Sequence, residues 1–133
     1  MKNTIPPISV QLYSVREAST KDFDQVLDLI AKIGFKGVEP FNLFFKSPAD
    51  FKKQVNDLGM EVSSTHFPWA NRSRDIGKVA DIVNTLGLSR VPGGFGPDDF
   101  KDMDTLKRTI DSTQNLVDAL KPYDMTLFLH NHY

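Results

Sequence analysis

One short step recurs along this chain: an apolar residue, a glycine and a second apolar residue, as Ile33-Gly34-Phe35, Leu58-Gly59-Met60 and Leu86-Gly87-Leu88. Each copy follows a stretch with apolar residues at helical spacing and precedes a short strand-like one, so it marks where a helix stops and a strand begins. The copies lie about 25 to 30 residues apart, the length of one strand-helix unit. Repeated units of this kind imply a parallel sheet, because each helix returns the chain to start the next strand in the same direction. Right-handed crossovers then place every strand C-terminus at one end, where such folds assemble their chemistry.

The phasing predicts parallel strands near residues 8–14, 36–40, 60–66, 89–92 and 125–132. In the first, Ile8, Val10 and Leu12 alternate with Ser9, Gln11 and Tyr13. In a barrel the apolar face meets helices while Gln11 and Tyr13 point inward near the mouth; as an edge strand, the same polar face is solvated. The first long helix starts near Asp22 and turns Phe23, Val26, Leu27, Ile30 and Ile33 inward. Ser47, Pro48 and Asp50 read as a cap, a first-turn proline and a dipole-matched carboxylate, ahead of an inward stripe of Phe51, Val55 and Leu58. A third helix uses Ile76, Val79, Ala80, Val83 and Leu86. A short strand about Arg90 and Val91 enters the glycine-rich loop Pro92-Gly93-Gly94-Phe95-Gly96-Pro97. The longest helix runs from about Asp104 to Lys121, with Leu106, Ile110, Leu116, Val117 and Leu120 inward and Pro122 closing it. The fold class is α/β, parallel (β/α) repeats with about five strands and four helices, one partial barrel domain over residues 1–133. A closed barrel takes eight strands, so the expected domain is a barrel lacking its last three βα units.

A chain of 133 residues is long enough for one real core. Its net charge is -1, with Lys and Arg scattered among nearly equal numbers of Asp and Glu, which argues against a nucleic-acid partner. No segment approaches the roughly 20 apolar residues of a membrane span, and none reads as a signal peptide, so the expected compartment is the cytoplasm. With no cysteine, any bound metal must be held by histidines and carboxylates.

Chemistry-bearing residues sit at strand ends. The final strand closes on His130-Asn131-His132, whose two imidazoles share a face, and each is a metal ligand or proton carrier near neutral pH. His66 ends the third strand, although a lone histidine of this kind also serves as a structural hydrogen-bonding group. Glu39, between Val38 and Pro40 at the end of the second strand, is a carboxylate that burial obliges to find a partner. The loop at Gly93 to Gly96 could offer N–H groups to a phosphate, but such loops are more often plain turns.

The segments Val10-Gln11-Leu12-Tyr13-Ser14-Val15-Arg16, Ile33 to Glu39, Leu58 to His66 and His130-Asn131-His132 resemble the sugar phosphate isomerase/epimerase family, the xylose-isomerase-like TIM barrels. The resemblance runs in order along nearly the whole chain. It implies an incomplete TIM barrel and an enzyme that moves hydrogen between adjacent carbons of a sugar or cyclitol with a divalent ion: Mn, Mg, Co or Zn. It implies Glu39 and His66 as catalytic residues lining the substrate pocket, Gln11, Tyr13 and His130 as substrate contacts, and His132 as a metal ligand. Relatives usually carry a Glu-Phe pair soon after the HNH motif and the remaining ligands farther on, beyond Tyr133 here. The resemblance thus implies that the 133 residues alone are inactive, bind no metal or bind it incompletely, and either form a homo-oligomer or lack a C-terminal half. Two rival readings share the residues: a non-catalytic half-barrel that binds or assembles through an open sheet edge, and an endonuclease-like barrel acting on abasic DNA.

Overall fold

The computed structural model describes residues 6–131. The chain divides into two compact units. The first runs to His66 and includes Thr85–Gly87; the second holds Phe67–Asn84 and the residues from Leu88 onward.

In the first unit, β1 (Ser9–Gln11), β2 (Gly37–Glu39) and β3 (Glu61–Val62) form a parallel sheet in the order β1-β2-β3. The register sets Gln11 opposite Glu39 and Val38 opposite Val62. β1 is shorter than the alternation predicted: Leu12–Val15 forms a 3-10 turn that leads into the short helix α1 (Arg16–Ser19). Tyr13 is therefore not on the strand, and it is 51% exposed rather than turned inward from a strand face. β3 also stops early. Ser63 N donates to Val38 O, but the next rung needs an N–H at Pro40, which has none. The chain still follows β2 for one more contact, His66 N to Pro40 O at 2.9 Å.

Two helices cover this sheet in sequence. α2 (Phe23–Ile33) is capped by the Asp22 carboxylate, which accepts from Gln25 N, and α3 (Pro48–Asp57) by Ser47 Oγ, which accepts from Asp50 N. Phe23, Leu27, Ile30, Phe51 and Val55 are buried along with Leu12, Val38, Met60 and Val62, whereas Ile33 is 65% exposed against expectation. Ile33 is the last residue of α2, where the chain turns away. Gly34, Gly59 and Gly87 adopt φ of 107°, 73° and 87°, the left-handed conformation that a side chain would strain, so the recurring glycine is a helix stop at every copy.

In the second unit, β4 (Arg90–Gly93) and β5 (Thr126–Leu129) pair in parallel over four residues, Arg90 with Thr126 through Gly93 with Leu129. Pro92 and Gly93 are thus strand residues, and the loop begins at Gly94. α4 (Ile76–Thr85) and α5 (Met103–Leu120) supply the rest of the core, in which Ala70, Val79, Val83, Val91 and Leu120 cluster with Leu116, Met125 and Leu127 against them. α5 departs from the expected stripe. Ile110 is 58% exposed, while Thr105 and Thr109 are buried. Their hydroxyls are satisfied by the preceding turn: Thr105 Oγ1 donates to Asp102 O and Thr109 Oγ1 to Asp99 O, both at 2.9 Å. The Asp102 carboxylate caps the helix by accepting from Thr105 N, and that bond holds its pKa below the usual carboxylate value.

Candidate active site

Within the first unit the residues at the C-terminal ends of the strands meet on one carboxylate. Glu39 ends β2 and is half-buried, and both of its oxygens are engaged. Oε1 accepts from Gln11 Nε2 at 2.5 Å, across the β1-β2 pair that the register sets opposite, and Oε2 accepts from Ser64 Oγ. Three consecutive strands or their extensions therefore converge on one acid, as parallel topology requires. His66 is half-buried two residues beyond Ser64, its backbone anchored to Pro40.

Tyr13 is held over this end of the unit by neighbours that sequence reading did not anticipate. Its ring meets Phe41 edge-on at 5.2 Å, and the Arg16 guanidinium lies 4.5 Å from its centroid. Phe41 continues to Phe44 at 5.5 Å, and Phe44 stacks on Phe23 at 4.1 Å. The loop after β2 is thus an aromatic bridge rather than a solvated turn, and with Ser19 and Asn42 it borders a cleft of about 790 Å³. The signal lay in plain view: Phe41, Phe44 and Phe45 are too apolar a set for an ordinary loop.

In the second unit the ends of β4 and β5 gather a different group. His130 follows β5, half-buried, and its N–H donates to Gly93 O at 2.8 Å. Its ring lies 5.7 Å from that of Trp69. Asn71 clamps the loop after β4 with two bonds to Gly94, donating through Nδ2 to the carbonyl at 2.6 Å and accepting from the N–H at 3.2 Å. Gly94 lies so close to the Trp69 ring that a Cβ there would collide with it and approach the His130 carbonyl to 2.8 Å. The N–H of Gly96 is taken by the Asp99 carboxylate at 2.7 Å. With both of these amides already engaged, the glycine-rich stretch behaves as a structural turn.

His132 lies outside the described residues, so the paired imidazoles cannot be placed together. Among the described residues no three His, Asp or Glu side chains gather as a metal site. Also among the described residues, no helix is long and apolar enough to cross a membrane.

No protein-family model and no curated protein matches the chain. Solved structures do. A sugar phosphate isomerase/epimerase from Parabacteroides distasonis superposes with a TM-score of 0.72 at 21% identity, over 99% of this chain and 53% of its own. A second structure of that description from the same organism gives 0.75 at 20% identity, over 95% and 55%. An AP endonuclease of family 2 from Brucella melitensis gives 0.62 at 16% identity, over 94% and 55%. At such identities the likeness is one of fold: parallel strands and helices consistent with part of a TIM barrel. Two of these neighbours bear the family name that the sequence segments resemble. The chain spans about half the length of the structures it matches.

Proposed function

We propose that these residues are the N-terminal portion of a (β/α)₈-barrel isomerase or epimerase that moves hydrogen between adjacent carbons of a sugar, sugar phosphate or cyclitol. The observation that carries the reading is Glu39, a half-buried carboxylate at a strand C-terminus held through both oxygens by Gln11 and Ser64. A carboxylate offers about four lone-pair positions, so each Glu39 oxygen retains capacity for a proton. Fixed in this way, it is suited to remove the proton alpha to a substrate carbonyl, a role worth about 10² to 10⁴ in rate. The proton returns to the adjacent carbon in isomerisation; in epimerisation His66 delivers one to the opposite face. Gln11 orients Glu39, and Tyr13 and His130 contact substrate. A divalent ion would stabilise the enediolate. His132 with ligands outside the described residues would hold it, and the proton transfer is argued here for Glu39 alone. A cytoplasmic location and a small-molecule rather than nucleic-acid partner belong to the same reading.

Titration of the complete barrel, these residues together with the remaining βα units, with Mn²⁺ or Zn²⁺ tests it. Micromolar binding that disappears in a His130→Ala, His132→Ala double variant supports the enzyme. A complete barrel without metal affinity supports the non-catalytic assembly module instead. The Brucella neighbour favours one further reading, a barrel acting on abasic DNA. The net charge of -1 counts against it, since phosphate contacts dominate such binding.

A further inference from the structure

The second unit carries a cation that the proposed mechanism does not use. Arg72 ends a 3-10 turn, Ala70–Arg72, that starts from buried Ala70 and is closed by Arg72 N donating to Trp69 O at 3.1 Å. Its guanidinium lies 4.1 Å from the centroid of the Trp69 ring. That ring is itself fixed, with Gly94 pressed against it, His130 at 5.7 Å, and the intervening Asn71 bonded twice to Gly94. Ion pairs among the described residues include Arg16 with Glu17, Lys46 with Asp24, Lys53 with Asp57 and Lys121 with Asp118; none of these uses Arg72. An aromatic contact holds a guanidinium in place without consuming its five N–H donors. The result is an exposed, pre-positioned fork on the ring that His130 also meets, with no carboxylate of the described residues in ion-pair contact with it.

We infer that Arg72, laid on Trp69, recognises an oxyanion on the ligand of this end of the second unit, a phosphate or a carboxylate bound through the guanidinium fork. The chemistry fits Arg rather than Lys, because a planar fork pairs bidentately with both oxyanions and stacks on an aromatic face. The inference rests on the isomerase reading for the sugar part of the ligand and makes the substrate a sugar phosphate or a sugar acid rather than a neutral sugar.

Trp69 is the single tryptophan of the chain, so its emission reports on this site alone. The 133-residue chain would be titrated with a hexose phosphate, a uronic acid, a neutral hexose and inorganic phosphate, with calorimetry alongside fluorescence. Saturable binding of the hexose phosphate or the uronic acid is expected, and whichever binds tighter identifies the oxyanion. Arg72→Gln should weaken that binding about 10-fold or more, and Arg72→Lys should recover part of it. Arg72 is exposed, so both variants should fold, with circular dichroism as the control. Equal affinity for the neutral hexose, unchanged affinity in Arg72→Gln, or no binding by any of the four would overturn the inference. Anion binding lost in Arg72→Gln, with no exchange of the substrate's alpha proton into D₂O by the complete barrel, would uphold it while the isomerase reading fell. Such exchange without anion preference would do the reverse.

Discussion

At the scale of single residues the Glu39 cluster separates structure from chemistry. Gln11 and Ser64 both donate to the carboxylate, and both can adapt: the Gln11 amide can turn over to accept, and the Ser64 hydroxyl can rotate. Glu39→Gln should therefore keep the cluster and melt close to the parent. Glu39→Leu leaves two part-buried donors without an acceptor, at about 1 to 3 kcal/mol each, and should show a clear loss in thermal denaturation. If Glu39 is the base, the Gln variant of the complete barrel should also lose exchange of the substrate's alpha proton into D₂O, read by NMR, by about 10² or more. Glu39→Gln retaining that exchange would remove Glu39 from the mechanism whatever its effect on stability. Half of this cluster was legible in the sequence. A carboxylate ending a short strand before a proline needs a partner, and the register of β1 on β2 delivers Gln11 to it. Ser64 was not legible, because it sits where Pro40 has broken the ladder and alternation no longer says which way a side chain points.

At the scale of elements, α5 tests what periodicity alone can decide. A stripe of apolar residues put Ile110 in the core, but burial followed two threonines whose hydroxyls find acceptors in the turn before the helix. Hydrophobic spacing cannot register an acceptor supplied ten residues away. Ile110→Ala should change stability by no more than about 0.5 kcal/mol, as at other exposed positions. Leu120→Ala, at a fully buried position in the second unit's cluster, should cost about 2 to 5 kcal/mol. Urea unfolding of the two variants would reveal the helix face directly, and an Ile110 loss matching that of Leu120 would restore the simpler stripe. The strands and long helices themselves were readable because glycine stops, caps and apolar spacing agree at each one. What escaped was built from irregular backbone: the turn after β1, the aromatic loop after β2, and the Trp69 to Arg72 turn with its asparagine clamp.

At the scale of the whole molecule, the question is what a polypeptide of these 133 residues does by itself. The structures it resembles are nearly twice as long, and this chain covers 53% to 55% of each. Among the described residues β1 pairs with β2 alone and β5 with β4 alone, so each offers a row of N–H and C=O groups along its other edge. A closed barrel would remove such edges. At β5 the exposed backbone is accompanied by Leu129, which is 53% exposed, and by half-buried Phe128, a combination that attracts another strand more strongly than it attracts water. Pairing that edge with a second strand exchanges water for backbone partners and removes Leu129 and Phe128 from water, and the apolar burial favours association. The 133-residue polypeptide is therefore expected to run above its 15.0 kDa monomer mass, as a dimer or a larger assembly, and to show no isomerase turnover on its own. Light scattering coupled to size exclusion decides between the outcomes. A monodisperse 15.0 kDa species with one cooperative melt would mean that five strands satisfy their own edges, and the expected assembly would be ruled out.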